Sequence, residues 1–189
     1  MKSDEASEFA ELLHRNQIDF IFVGGTAILR RYPSQTFDFD VMVLPRDFAR
    51  GVAAIDKDPS VASMSRSPAT IPGGHVIVRG SLVRFDLLDP AAYAGTRTGQ
   101  DFYTYVRRYA SDPSPIGRIA KPAVVWYMRL VIDRHELYFP KIVRDLRAGV
   151  PWSTVDEVRR IAKRFGVDDV IRQRIQTLAE VADIVKLRY

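Results

Sequence analysis

Apolar residues in the first half of the chain follow both helical and strand-like spacings. A helix capped by Ser3 or Asp4 is predicted to run to about Asn16, with its apolar side chains on one face. The apolar run at residues 18–23 ends at two glycines and predicts a buried strand. The run at residues 37–44 is closed by a proline and predicts a second strand.

Short segments of both kinds continue toward the middle of the chain. Residues 26–31 predict one or two helical turns, and residues 47–55 predict a longer helix. Two strand-like runs, residues 76–78 and 82–88, are separated by a tripeptide that contains glycine, so they predict a hairpin.

The spacing becomes helical in the second half. Residues 89–101 are predicted to form a loop, and the serines and prolines of residues 111–115 predict another break. From Ile116 onward the pattern is largely helical, with apolar faces at residues 155–165 and 170–185.

This change of pattern predicts an α+β fold with two parts. The expected division is a catalytic core at residues 1–95 and a mainly helical region at residues 96–189. Hydrophobic residues make up 47% of the chain, which is enough for a sizeable core.

Composition excludes several classes of protein. No stretch approaches the roughly 18 to 20 apolar residues of a membrane helix, and residues 1–11 carry four acidic side chains, unlike a signal or transit peptide. The chain has no cysteine, so disulfide and thiolate chemistry are excluded. These features predict a soluble, cytoplasmic protein without a membrane partner.

The charge balance is modestly basic and unevenly distributed. There are 28 Lys and Arg against 23 Asp and Glu, and the sequence pI is about 9.6. Basic residues recur every few positions between Arg97 and Arg188. Two interpretations stay open, a surface for a polyanion and a set of solvated helix faces.

Three aspartates carry the strongest chemical signal. Alternation on the predicted strand puts Asp38 and Asp40 on one face, where they repel each other unless a cation lies between them. Asp86 supplies a third carboxylate on a later predicted strand. Magnesium prefers carboxylate and phosphate oxygens. Three convergent carboxylates therefore suit a two-metal site that holds a nucleoside triphosphate and activates an attacking hydroxyl.

A glycine-rich turn precedes the paired aspartates. Gly24, Gly25 and Thr26 follow a predicted strand and open a helix, so their amides and the Thr26 hydroxyl can meet phosphate oxygens. Taken alone, such a turn or an Asp-x-Asp pair is usually an ordinary feature of a sheet. Their conjunction in this order favours a nucleotide site.

This conjunction resembles the signature of the DNA polymerase β-type nucleotidyltransferases. It is most similar to the AbiEii-type branch, which includes toxins of type IV toxin–antitoxin systems and the MenT toxins. The matching pattern is a Gly-Gly turn followed by Thr-x-Asp-hydrophobic-Asp, here residues 36–40, and the resemblance spans roughly residues 18–148. It implies a mixed sheet flanked by helices, with a C-terminal helical bundle. It also implies phosphate binding by Gly24, Gly25 and Thr26, metal binding by Asp38, Asp40 and Asp86, and proton abstraction aided by Asp86.

The same family carries two lysine signals that have counterparts here. Lys121 matches a lysine at the start of a helix after the sheet and is implied to approach the triphosphate, although a surface lysine is equally compatible. Lys141 and Asp145 match a Lys-x-x-x-Asp-Leu helix, and a simple i,i+4 surface pair is the alternative.

The segment before the aspartates departs from the family. Many relatives have an arginine two positions before the threonine, where this chain has residues 32–34, so Arg30 or Arg31 is assigned the phosphate contact. Thr36 shares a predicted strand face with the paired aspartates. Its phosphorylation would add about two negative charges there and is predicted to block NTP binding.

The resemblance implies a Mg²⁺-dependent enzyme that moves a nucleoside monophosphate from an NTP to an acceptor hydroxyl. For the toxin branch the implied acceptor is the 3′ end of tRNA, and the implied protein partner is a cognate antitoxin. Trp126, Tyr127 and Trp152 are candidates to stack on a terminal base, with core packing as their more common role. Two alternatives remain open: a small-molecule or protein acceptor, and a non-catalytic binding module of the same fold.

Overall fold

The computed structural model describes residues 2–29, 38–66, 74–79 and 83–186. Its strands are β1 (Phe20–Val23), β2 (Asp38–Val43), β3 (Val61–Arg66), β4 (Gly74–Arg79), β5 (Val83–Leu88), β6 (Ser111–Ser114) and β7 (Gly117–Ala120). Its helices are α1 (Lys2–Arg15), α2 (Gly24–Leu29), α3 (Phe48–Asp56), α4 (Gly99–Tyr109), α5 (Pro122–Val131), α6 (His135–Arg147), α7 (Thr154–Arg164) and α8 (Asp168–Lys186). Short 3₁₀ turns occupy Pro45–Asp47 and Pro90–Tyr93.

The strands form one mixed sheet. Within the described residues the order is β3-β4-β5-β2-β1-β7-β6. Strand β2 is antiparallel to β1 and parallel to β5, and β1 is parallel to β7. The predicted hairpin is confirmed, since β4 and β5 pair antiparallel. The order places the strand of Asp86 directly beside the strand of Asp38 and Asp40.

One face of the central strands is closed by α1. The ring of Phe9 stacks on Phe85 with centroids 4.0 Å apart, and Phe85 stacks on Phe39 at 5.1 Å. These aromatic contacts bury the face of β2 and β5 that lies opposite Asp40 and Asp86. Burial of this face fixes the register, because a slip of one residue would exchange the phenylalanines with the aspartates.

In the second half of the chain, the other helices pack around α5. Almost every residue of α5 is buried, including Trp126 and Tyr127, and its contacts reach α7 and α8. Phe102 of α4 and Phe165 after α7 pack on the Tyr127 ring, so one core continues across the molecule. The structure is therefore an α+β fold, as the hydrophobic pattern predicts, and its sheet is mixed, as the resemblance implies.

Three predictions of local structure are wrong. The predicted loop at residues 89–101 contains a 3₁₀ turn and the start of α4, where Thr98 and Asp101 form a reciprocal capping box. The predicted break at residues 111–115 includes β6, and the segment after Ile116 begins with β7 rather than a helix. Pro113 is tolerated in β6 because this strand lies at an edge of the described sheet, where a missing N–H costs little.

The second half also contributes to the sheet. Residues Ile21 and Phe22 of β1 pair with Arg118 and Ile119 of β7, so the sheet continues beyond residue 95. The division into residues 1–95 and 96–189 stays a prediction.

Candidate functional site

Two of the three predicted metal ligands meet at one position of the sheet. Asp40 and Asp86 are register partners on the parallel strands β2 and β5. Side chains of such partners project on the same face, about 4.8 Å apart along the sheet. Asp38 is the register partner of Arg84, two residues earlier on each strand. The Asp38 side chain lies outside the described residues.

The turn after β1 lies against Asp40. Val23 is the register partner of Asp40, and Gly24 follows with a φ of +59°. A Cβ atom at Gly24 would overlap Oδ2 of Asp40. The amide of Gly25 donates to the same oxygen over a long 3.4 Å. Position 24 therefore requires glycine both for its left-handed backbone and for the space that the carboxylate occupies.

Thr26 is less accessible than a phosphate ligand at an open turn would be. Its side chain is 4% exposed, and its Oγ1 has no hydrogen-bond partner in the part of the chain that the structure describes. A buried hydroxyl without a partner is costly. The contact of Thr26 with a phosphate stays a prediction.

Arg84 holds Asp86 through two parallel hydrogen bonds. Its Nε donates to Oδ1 and its Nη2 donates to Oδ2, each at 2.9 Å. The Asp86 side chain is 1% exposed, whereas that of Arg84 is 39% exposed. Sequence reasoning missed this pair, although the Arg-x-Asp spacing on one strand was the available signal.

The charges of the carboxylates act on two tyrosines. Burial raises the pKa of Tyr93 far above its ordinary value, and the charges of Asp40 and Asp86 raise it further. Burial and then Asp40 raise the pKa of Tyr138 on α6, while Arg129 opposes them. Both phenols therefore stay protonated and are available as hydrogen-bond donors near the site. Their positions come from tertiary packing, which no sequence pattern of this chain revealed.

A hydrogen bond from α5 holds the Tyr93 backbone in place. The Tyr127 hydroxyl, buried in the core, donates to the Tyr93 carbonyl at 2.9 Å. This contact joins the 3₁₀ turn after β5 to the central helix of the second half. The turn is thereby held in place only a few residues beyond Asp86.

The two candidate lysines occupy different places. Lys121 caps α5 at the end of β7, and its Nζ donates to the Tyr109 carbonyl at 3.4 Å. Because β7 is parallel to β1, Lys121 lies at the same end of the sheet as Gly24. Lys141 lies on α6 with its Nζ 5.5 Å from the ring centroid of Tyr138.

The surface-pair interpretation of Lys141 and Asp145 is wrong. Asp145 is 0% exposed and accepts from Nη1 of Arg129 and from Nε1 of Trp126. Arg129 is itself buried, so this cluster is an internal ion pair that joins α5 to α6.

Stacking on a nucleotide base is excluded for two of the three predicted aromatics. Trp126 and Tyr127 are fully buried, which confirms core packing as their role. Trp152 is partly exposed. The most exposed large aromatic among the described residues is Tyr109, at 62%, at the end of α4 next to Lys121. Sequence reasoning did not single it out.

The basic residues of α7 and α8 behave as solvated helix faces. Exposed ion pairs at helical spacing join Arg159 to Asp156, Arg160 to Glu157 and Arg172 to Asp168. Such pairs contribute little to stability and leave little net charge for a polyanion. On these two helices the structure favours the second interpretation of the charge pattern.

Several predicted residues cannot be placed. Arg30, Arg31 and Thr36 lie outside the described residues. The side chains that are described contain no cluster of three potential metal ligands, and the predicted triad needs Asp38 to complete it. Among the described helices, none combines the length and the apolarity needed to cross a bilayer.

Comparisons with known proteins give limited information. Neither a protein-family model nor a curated protein matches the chain. A crystal structure of a protein from H. pylori, provisionally named a nucleotidyltransferase, is similar over 99% of this chain and 94% of the other, with a TM-score of 0.41 and 10% identity. At that TM-score and identity the similarity decides nothing about function, which has to come from the chain's own residues.

Proposed function

We propose that the chain is a Mg²⁺-dependent nucleotidyltransferase that moves a nucleoside monophosphate from an NTP to an acceptor hydroxyl. The observation that carries this proposal is the register pairing of Asp40 with Asp86, beside a glycine turn that lies against Asp40. The polymerase β-type core and the C-terminal helical bundle are part of the proposal.

The residues present fit a hard divalent cation. Asp40 and Asp86 offer carboxylate oxygens on neighbouring strands, and Asp38 adds another two residues before Asp40. The buried Asp86 already pairs with a cationic group, Arg84, which is the charge balance expected at such a position. When bound, Mg²⁺ would neutralise triphosphate charge and stabilise the leaving pyrophosphate.

The proposed reaction forms one bond and breaks one. The acceptor oxygen bonds to the α-phosphorus of the NTP, and the bond from that phosphorus to the bridging oxygen breaks, so pyrophosphate leaves with the electron pair. The hydroxyl proton passes to a carboxylate, for which Asp86 is our candidate. Lys121 and Lys141 are our candidates for contacts to the triphosphate, together with the amides of Gly24 and Gly25.

The acceptor we propose is the 3′ end of tRNA. Tyr109 presents an exposed ring at the sheet end that carries the glycine turn, and the Lys121 ammonium lies on its carbonyl. An aromatic ring beside a cation suits a single-stranded base and its phosphate. The further proposal, a toxin neutralised by a cognate antitoxin, rests on the resemblance to the AbiEii-type branch.

The acceptor is tested with labelled NTP and chemically modified tRNA. Each NTP, labelled at the α-phosphate, is incubated with Mg²⁺ and total tRNA, either intact or oxidised by periodate at its 3′ end. We expect label on intact tRNA with a preferred NTP, and none on oxidised tRNA, because oxidation removes the terminal hydroxyls. Tyr109→Ala should reduce labelling by about fivefold to 150-fold, which corresponds to a stacking contact of about 1–3 kcal/mol.

Two aspartate variants serve as controls for this assay. Asp40→Asn should abolish labelling, whereas Asp19→Asn should leave it unchanged, since Asp19 pairs with Arg107 at the opposite end of β1. Equal labelling of oxidised tRNA would exclude the 3′ end. An absence of label on any tRNA, with NTP still bound, would point to a small-molecule or protein acceptor.

A further inference from the structure

We propose that Arg84 regulates metal binding. In the absence of nucleotide it pairs with Asp86, and when the NTP binds its guanidinium leaves Asp86 and binds oxygens of the triphosphate. This inference rests on the proposed function and adds a positioning residue that the resemblance does not supply. It predicts that metal and nucleotide bind cooperatively. The metal displaces Arg84 from Asp86 and frees it for the nucleotide, and the nucleotide draws Arg84 away and frees Asp86 for the metal.

The contact between Arg84 and Asp86 occupies both carboxylate oxygens. The two hydrogen bonds run in parallel at 2.9 Å each, the bidentate geometry in which arginine binds carboxylates most strongly. A divalent cation on the same oxygens would lie beside the guanidinium charge. Repulsion at that distance is strong where water is excluded, and Asp86 is almost fully buried. Arg84 and the metal therefore compete for Asp86.

The structure indicates which partner moves. Asp86 lies on β5 between β2 and β4, and both neighbouring strands hold its backbone. The Arg84 side chain is more than a third exposed, so its guanidinium can move on its flexible stem. The exchange therefore requires a rotamer change of Arg84 and no movement of the sheet.

The strand also determines where Arg84 can go. Arg84 lies two residues before Asp86, so its side chain leaves the same face of β5. Its register partner is Asp38, beside the strand position of Asp40. After leaving Asp86, the guanidinium stays next to the place that our proposal gives to the triphosphate. Arginine binds phosphate in the same bidentate way as carboxylate.

A purely structural ion pair makes different predictions. Its loss would destabilise the fold, since it would remove a bidentate hydrogen-bond partner from the buried Asp86. Removing its positive charge would raise metal affinity by electrostatics alone, but the tightening of metal binding by nucleotide would not depend on Arg84. Metal binding measured with and without nucleotide, in the absence of turnover, therefore separates the two roles.

The experiment measures Mn²⁺ binding by the EPR signal of the free ion. Wild-type protein, Arg84→Gln, Arg84→Lys and Asp86→Asn are titrated with and without a non-hydrolysable α,β-methylene NTP. Arg107→Gln is the matched control, because it removes another arginine whose Nε contacts an aspartate at 2.9 Å, away from the carboxylates. Thermal unfolding with and without Mn²⁺ gives a second readout.

We expect Arg84→Gln to bind Mn²⁺ without nucleotide on the order of tenfold to hundredfold more tightly than wild type, the range set by hydrogen bonds to charged groups. The nucleotide should tighten Mn²⁺ binding in wild type and in Arg107→Gln, but much less in Arg84→Gln. Mn²⁺ should also raise the melting temperature of Arg84→Gln more than that of wild type. If Arg84→Gln does not fold, Arg84→Lys, which keeps the charge and loses the fork, should show the same changes at smaller size.

Two results would overturn the inference in distinguishable ways. If Asp86→Asn loses Mn²⁺ binding while nucleotide tightens Mn²⁺ binding as much in Arg84→Gln as in wild type, Arg84 does not couple the two ligands and the proposed function stands. If no variant and no wild-type sample binds Mn²⁺ even with nucleotide, the metal site itself is wrong, and the proposed function falls with the inference.

Discussion

The Asp40 carboxylate lies so close to Gly24 that it fills the space a side chain at position 24 would need. The backbone of Gly24 has a φ of +59°, and a side chain there would overlap Oδ2 of Asp40. At this scale the sequence was informative. A glycine pair after a strand and an Asp-x-Asp on the next strand led to the residues that the sheet register brings together.

The Gly24→Ala variant tests this contact. We expect it to lose about 1–3 kcal/mol of unfolding free energy from backbone strain and to lose NTP binding, because Asp40 must move. Chemical denaturation and nucleotide binding measure the two effects. Gly51→Ala is the control, since its Cβ would meet Ile18 at an ordinary 3.5 Å. A Gly24→Ala protein with wild-type NTP affinity would contradict the role of this turn.

The contact of Arg84 with Asp86 could not be predicted from local sequence spacing. An Arg-x-Asp spacing on a strand is equally compatible with an exposed ion pair, and only the burial of Asp86 makes the contact consequential. Burial depends on what packs over the face, which local spacing does not contain.

The elements were predictable where their pattern was local. Helices α7 and α8 and the hairpin β4–β5 follow directly from their apolar spacing. Strand β6 was missed because its Pro113 is typical of a break, and an edge position makes it tolerable. Helix α4 was missed although its capping box, Thr98 with Asp101, is visible in the sequence.

At the scale of elements, the contact between α5 and α6 depends on Asp145. This carboxylate is fully buried and binds Arg129 and Trp126 of α5. Helix α6 also carries Tyr138, whose pKa is raised by burial and by the charge of Asp40. The ion pair therefore anchors the helix of Tyr138 to α5.

Asp145→Asn should cost about 3–5 kcal/mol of unfolding free energy, because it leaves the buried Arg129 without a counter-charge. Urea denaturation measures the loss. Asp156→Asn on α7 is the control, since its ion pair with Arg159 is exposed and its loss should cost less than about 1 kcal/mol. Equal stability of the two variants would show that the internal pair contributes no more than a surface one.

For the whole molecule, the α+β class and the mixed sheet were predictable, and the assembly of the site was only partly so. The charges of Asp40 and Asp86 reach Tyr93 in the turn after β5 and Tyr138 on α6, and the second of these residues is distant in sequence from both aspartates. The basic second half was ambiguous for a different reason. Three of its arginines on α7 and α8 pair with acids one helical turn away, which a count of charges cannot show.

The central claim is that the Asp40–Asp86 pair catalyses transfer of a nucleoside monophosphate. The most direct measurement compares NTP labelled at the α-phosphate with NTP labelled at the γ-phosphate, in the presence of Mg²⁺ and total RNA. We predict that wild-type protein transfers the α-label to the acceptor and releases the γ-label in pyrophosphate, and that Asp40→Asn does neither while remaining folded. Transfer of the γ-label to the acceptor, or undiminished α-label transfer by Asp40→Asn, would contradict the account.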